Sequence, residues 1–195
     1  MSPLGEAQFF RAVHDLKDLP PDAIAEVAFA GRSNAGKSSA INALVNRNRL
    51  AFVSKTPGRT QTINFFTLGA QRFLVDLPGY GYAAVPVKEK RHWGKLISAY
   101  LQTRAALRGL VIIMDARHPF TVLDRQLLDW TAPFQKPAHV LLTKADKLNK
   151  REAMTALRTA EAAAGQYPNC TVQLFSSTAG IGIRAAQKTI AQWLK

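Results

Sequence analysis

The run Gly31-Arg32-Ser33-Asn34-Ala35-Gly36-Lys37-Ser38 has the spacing GxxxxGK(S/T). A loop of this kind wraps its backbone N–H groups around a phosphate. Its lysine brings a cation to the terminal phosphates, and the closing hydroxyl is placed to hold Mg2+. The flanks suit it. Glu26 to Ala30 is short, apolar and partly β-branched, as a buried strand is, and Ile41, Leu44 and Val45 follow at helical spacing. Strand, glycine loop and helix in that order add the helix N-terminus to the anion site.

Three further segments extend the chemistry. Asp76-Leu77-Pro78-Gly79 follows the apolar run Phe73-Leu74-Val75. A strand-end aspartate can hold a metal ion, and a glycine three residues on can donate its N–H to a γ-phosphate. Thr143-Lys144-Ala145-Asp146 follows His139 to Leu142. One carboxylate there accepts both the ring N–H and the exocyclic amine of guanine. Adenine would face it with a lone pair, a mismatch that a hydrogen-bonding site penalises heavily. Thr143 stands where asparagine is commoner and reaches less far. Phe175-Ser176-Ser177 offers backbone N–H groups to the guanine carbonyl. An ATP-dependent kinase or ATPase conflicts with Asp146.

Catalysis of phosphoryl transfer to water is mainly positioning and charge neutralisation. Lys37 and the loop N–H groups supply charge. A threonine before the second strand is needed to complete the Mg2+ shell; Thr60 is the first choice and Thr62 the second, with Ser38 as the other metal ligand. Tyr80 occupies the place after Gly79 where Ras-like enzymes carry glutamine. It cannot orient water through an amide, so unassisted hydrolysis is expected to be slow, with Tyr80 a packing residue.

These residues require a scaffold that sets them side by side. Strand-like runs at 26–31, 62–68, 72–77, 109–115, 138–143 and 171–176 alternate with helical patterns near 37–46, 90–107, 122–132, 149–164 and 182–194. The turn Leu68-Gly69-Ala70-Gln71 implies one antiparallel hairpin, and the rest implies parallel crossovers. The expected architecture is α/β: a mixed, mostly parallel six-stranded sheet with helices on both faces. Residues 1–23 read as a short extension ahead of a domain at 24–195.

The 195 residues suit one domain, and 47% hydrophobic content suffices for its core. No signal-peptide core or membrane-length apolar run is present, so a cytoplasmic location is expected. Cys170, the single cysteine, excludes an internal disulfide. His14, His92, His118 and His139 lack metal-ligand spacing. The net charge of +13 predicts affinity for polyanions. It is unevenly spread: 11 of 26 basic residues but 2 of 13 acidic ones fall within 47–108. That stretch is either a solvated face or a polyanion contact surface whose shape follows the nucleotide, with Lys88, Lys90, Arg91 and Lys95 the best candidates.

The motifs GRSNAGKSS, TPGRTQTINFF, DLPGYGYA, TKADKL and FSS resemble the EngB group of bacterial GTP-binding proteins, over about residues 24–194. The resemblance implies a Ras-like P-loop GTPase fold, binding of GTP or GDP with Mg2+, and slow hydrolysis. It also implies a role in assembling the large ribosomal subunit, needed for normal septation and cell division, and ribosomal RNA as the polyanion that residues 47–108 would meet. The alternative is a GTP-gated RNA-binding factor in which hydrolysis is incidental. Nucleotide contacts carried over by position fall on Gly31, Arg32, Ser33, Asn34, Ala35, Gly36, Lys37 and Ser38; on Gly58, Arg59, Thr60, Gln61 and Thr62; on Asp76, Leu77, Pro78 and Gly79; on Thr143, Lys144, Ala145 and Asp146; and on Phe175, Ser176 and Ser177. Lys37, Asn34 and Thr60 carry the catalytic expectation. Asn34 either holds K+ beside the phosphates, as in related GTPases, or stabilises a turn. Arg59 is either an internal arginine finger or a phosphate or RNA contact. The expected partner is the large subunit or its precursor, met through rRNA by a monomer away from membranes.

Overall fold

The computed structural model describes residues 4–51, 62–80 and 87–195, excepting the side chains of 87–93. Strand β2 (Ala25–Gly31) is buried along its whole length, as a continuous apolar run in a parallel sheet requires. It lies at the centre of the sheet. Strands β1 (Gln8–Val13), β3 (Ile63–Thr67) and β4 (Arg72–Asp76) lie on one side of it; β5 (Leu107–Asp115), β6 (Ala138–Thr143) and β7 (Cys170–Leu174) lie on the other. The order is β1-β3-β4-β2-β5-β6-β7. Only β3 runs against its neighbours, paired antiparallel to both β1 and β4. The expected hairpin is present: Leu68 N–H donates to Arg72 O at 2.9 Å.

Among the described residues the sheet has seven strands where the sequence led us to expect six. The seventh, β1, comes from residues assigned to the N-terminal extension. Its first five residues are exposed, so no apolar alternation marks it. It exists because β3 offers it an edge, with Phe9 and Phe10 packing edge-on or tilted against Phe66 and Phe73.

Helices cover both faces. Helices α1 (Lys37–Leu44) and α5 (Ile183–Trp193) share a core with Val27, Phe29, Val111 and Ile113. Helices α2 (Val87–Thr103), α3 (Val122–Thr131) and α4 (Lys150–Ala164) cover the other face over Ala28, Phe65, Val75, Ile112 and Val140. Each fully buried side chain of this size contributes about 1.5–3 kcal/mol. Along the inner strands β2 to β6 the buried side chains alternate between the two cores, as a period of two dictates. Cys170 belongs to the second core, where burial pushes its thiol up to about 11; it is a packing residue.

One charged cluster ties α2 to the sheet at the end remote from the glycine loop. Glu26 is fully buried on β2. Tyr100 Oη donates to its carboxylate at 2.7 Å and Arg104 Nε donates at 2.8 Å. Arg104 also donates to Pro20 O at 2.6 Å. Removing one partner of a buried ion pair leaves an uncompensated charge, which costs about 3–5 kcal/mol. Arg104→Met is therefore expected to lower unfolding stability by about that amount in urea denaturation. A loss under about 1 kcal/mol would place this pair with exposed ones instead.

Candidate functional site

The parallel strands end together, and β2 lies where the chain order reverses, with β4 on one side and β5 on the other. Crevices form beyond strand carboxyl ends at such a reversal. The loop 31–38 leaves β2 at this point. Gly31 lies so close to β5 that an added Cβ would sit 2.9 Å from Ile113 Cβ. Gly36 caps α1 at φ 96°, a backbone that side-chain-bearing residues avoid. Asn34 takes the left-handed region at φ 62°, which asparagine tolerates better than most residues. Helix α1 therefore starts at Lys37 with its first-turn N–H groups directed toward the loop.

Lys37 forms an ion pair with Asp76 at the end of β4, both largely buried. The Ser38 hydroxyl makes no hydrogen bond among the described residues. An unbonded hydroxyl and a strand-end carboxylate flanking one lysine fit an oxygen-seeking divalent cation. Leu77 and Pro78 are buried and carry the chain to Gly79, while Leu77 N–H continues the ladder to Phe29 O at 3.0 Å. The side chain of Asn34 is exposed and makes no hydrogen bond among the described residues.

The segment after β6 reaches the same loop. Buried Thr143 donates its hydroxyl toward Ala35 O, with Met114 O at 3.0 Å. The shorter side chain that stands for asparagine thus still spans to the loop. Lys144 Nζ donates to Asn34 O at 2.8 Å, and Ala145 N–H donates to Phe175 O at 3.2 Å. Ser176, fully buried, donates Oγ–H to Asp146 Oδ1 at 2.6 Å. That bond, above all, holds the Asp146 carboxyl below its ordinary range, keeping it an acceptor. Ser177 is half-buried beside it.

Two contributors lay outside the motif reading. Asp115 ends β5 and accepts from Lys144 Nζ at 2.9 Å. Arg117 grips the same carboxylate through Nε at 2.9 Å and Nη2 at 2.7 Å. Burial alone would raise this carboxyl, but the hydrogen bonds from Arg117 and Lys144 outweigh it and hold it well below the usual carboxylate range. Asp115 and Arg117 thus set the direction of Lys144. The available signal was a strand-final aspartate, the same feature that marks Asp76.

Thr62 is half-buried just before β3, its hydroxyl donating to Asn64 Oδ1 at 3.1 Å. Gly58, Arg59, Thr60 and Gln61 lie outside the described residues, as do the side chains of Lys88, Lys90 and Arg91. Lys95 is exposed on α2. His139 is a core residue, with ring nitrogens 2.7 Å from Thr171 Oγ1 and 2.9 Å from Gln173 Oε1. Among the described residues no group of His, Cys, Asp and Glu forms a metal cluster, and no helix is long and apolar enough to cross a membrane.

Residues 26–144 match the family described as 50S ribosome-binding GTPase. A probable GTP-binding protein EngB of Nitrosomonas europaea is 60% identical over 96% of this chain and 85% of that protein. Another, from Thiobacillus denitrificans, is 58% identical over 98% of this chain and 92% of that protein. A crystal structure of a probable GTP-binding protein engB superposes with a TM-score of 0.67 at 21% identity, covering 87% of this chain and 98% of that one. It shares the Ras-like fold. With two relatives near 60% identity across almost their whole length, and the glycine loop, Asp76 and Asp146 brought to one crevice, the chain belongs to the EngB family of GTP-binding proteins.

Proposed function

We propose that this chain binds GTP with Mg2+, hydrolyses it slowly, and uses the bound nucleotide to gate its attachment to the large ribosomal subunit or its precursor through rRNA. Its place is then subunit assembly in the cytoplasm, as a monomer, with septation and division dependent on it. The observation that carries the reading is that Lys37 pairs with Asp76, 39 residues on, while Lys144 bonds Asn34 O across 110 residues and so brings the segment that holds Asp146 to the same loop.

In this reading residues 31–38, 58–62, 76–79, 143–146 and 175–177 contact the nucleotide. Ser38 and Thr60 would hold Mg2+, which when bound would supply charge neutralisation at the phosphates. Lys37 leaves Asp76 for the terminal phosphates, and Asp146 reads the base. Residues 24–195 form the nucleotide domain, to whose sheet the extension adds β1. Slow turnover is supported by Tyr80, whose phenol is bonded to Asp124, leaving no amide in this turn to orient water. Asn34, a loop residue whose side chain is exposed and makes no hydrogen bond among the described residues, is the residue that would hold K+; equal GTPase rates in K+ and Na+ would remove that role.

The test is co-sedimentation with ribosomal subunits and their precursors under GTP, GDP or no nucleotide. Binding to large-subunit particles is expected to favour GTP and to fall steeply with salt, as phosphate contacts release counterions. Indifference to both nucleotide and salt would defeat the proposal. Equal function from a variant that binds GTP but does not hydrolyse it would favour the reading in which turnover is incidental.

A further inference from the structure

Tyr80 is tied to the phosphate loop by both its backbone and its side chain. Its N–H donates to Gly31 O at 3.3 Å, and Ser33 N–H donates to Tyr80 O at 3.1 Å, forming an isolated parallel bridge with Arg32. Its phenol donates to Asp124 Oδ1 at 2.8 Å. Arg32 Nε donates to that same oxygen at 3.2 Å. Asp124 is fully buried at the start of α3. Its second oxygen accepts from Thr121 N–H at 2.9 Å and Thr121 Oγ1 at 2.7 Å.

The helix-capping role of Asp124 explains only one of its two oxygens. An N3 acid in a capping box answers the N-cap backbone and asks for nothing more. The other oxygen joins two segments 48 residues apart in the chain: the first variable residue of the phosphate loop and the residue after Gly79. Burial and the Asp124 charge together push the Tyr80 phenol up, so it stays protonated and remains a donor. A buried carboxylate with an unmet lone pair is unfavourable, so the two donors are held in place together.

We infer that Asp124 is a positioning residue which, through Arg32 and the Tyr80 hydroxyl, holds the Gly79–Tyr80 turn in register with the phosphate loop and thereby sets the preference for GTP over GDP. This rests on the GTP-binding reading above. In that reading the Gly79 N–H is the donor to the γ-phosphate, and the Tyr80 backbone bonds to Gly31 and Ser33 fix the turn against the loop. GDP has no group there to receive it. Pre-organising the turn therefore strengthens GTP binding and leaves GDP binding nearly unchanged, because only the triphosphate gains from an ordering cost already met.

The test compares dissociation constants for GDP and a non-hydrolysable GTP analogue in wild type, Tyr80→Phe, Asp124→Ala and the double variant, with Mg2+ present. Tyr80→Phe deletes one oxygen and keeps the ring's packing. It is expected to weaken the GTP analogue by about tenfold, the scale of one charge-assisted hydrogen bond, and GDP by less than about twofold. In the Asp124→Ala background, which leaves the phenol no acceptor, Tyr80→Phe is expected to add almost nothing, since both act through one contact. A purely structural tie would weaken both nucleotides together, or lower the melting temperature without moving their ratio. Either result, or a ratio shifted toward GTP, overturns the inference while leaving GTP binding intact. Wild type that binds neither nucleotide overturns the GTP-binding reading and this inference with it.

Discussion

Lys37→Ala is expected to abolish tight nucleotide binding. The ammonium of Lys37 is largely buried and faces the Asp76 carboxylate. Without it, that carboxylate would stand beside the terminal phosphates with no intervening positive side chain. Losing one partner of a buried charge pair costs about 3–5 kcal/mol, or about a 10²–10⁴-fold loss in affinity. Titration with a fluorescent GDP analogue measures it. Adding Asp76→Ala to Lys37→Ala should recover part of the loss, because it removes the repulsion but not the missing cation. A Lys37→Ala variant within about fivefold of wild type would show that the backbone N–H groups carry the anion site alone. The nucleotide-free variant should also melt lower, since Asp76 is 7% exposed and loses its counter-ion.

Asp146→Asn is expected to transfer specificity from guanine to xanthine. The carboxylate is fixed by Ser176, which uses part of Oδ1, and Lys147 lies 3.5 Å from Oδ2. Two bonds to a charged acceptor are worth about 1.5–3 kcal/mol each, so GTP affinity should fall by about 10²–10⁴-fold. An asparagine amide presents N–H groups, which meet the carbonyl that xanthine carries where guanine has its amine. Competition of GTP, XTP and ATP against a fluorescent nucleotide reads the switch. A variant that still prefers GTP would move base recognition away from Asp146. The Ser176 hydroxyl would then donate to the new amide oxygen, so the segment 143–146 should keep its conformation and the melting temperature should change little.

The two expectations differ in how much of their setting could be read beforehand. Lys37 and Asp146 belong to contiguous motifs, and a contiguous motif encodes its own backbone: Gly36 supplies the left-handed turn, and the apolar run before Thr143 supplies the strand. The alternation of strands and helices likewise follows from apolar period and turn residues within a few positions of each other. Among the described residues, six of the seven strands and the five α-helices were legible on those grounds. Strand β1 was not, because an exposed edge strand has no buried face to create an alternation; β3 supplies its pairing more than fifty residues later. The same distance hid the supports of the site. Asp115 carries no motif, and only the β5–β6 pairing, which sets Asp115 against Thr143, brings it to Lys144.

The sequence by itself determined which groups are proposed to meet phosphate and base, since local spacing decides loop geometry and hydrogen-bonding type decides the ligand. Which side chains hold those groups in place was decided only by the tertiary structure. Asp124 reaches Arg32 across 92 positions, Tyr80 across 44, and Asp115 reaches Lys144 across 29. Contacts of that span depend on where α3 and β5 settle against the sheet, a matter of core packing between whole elements that no short stretch of residues encodes.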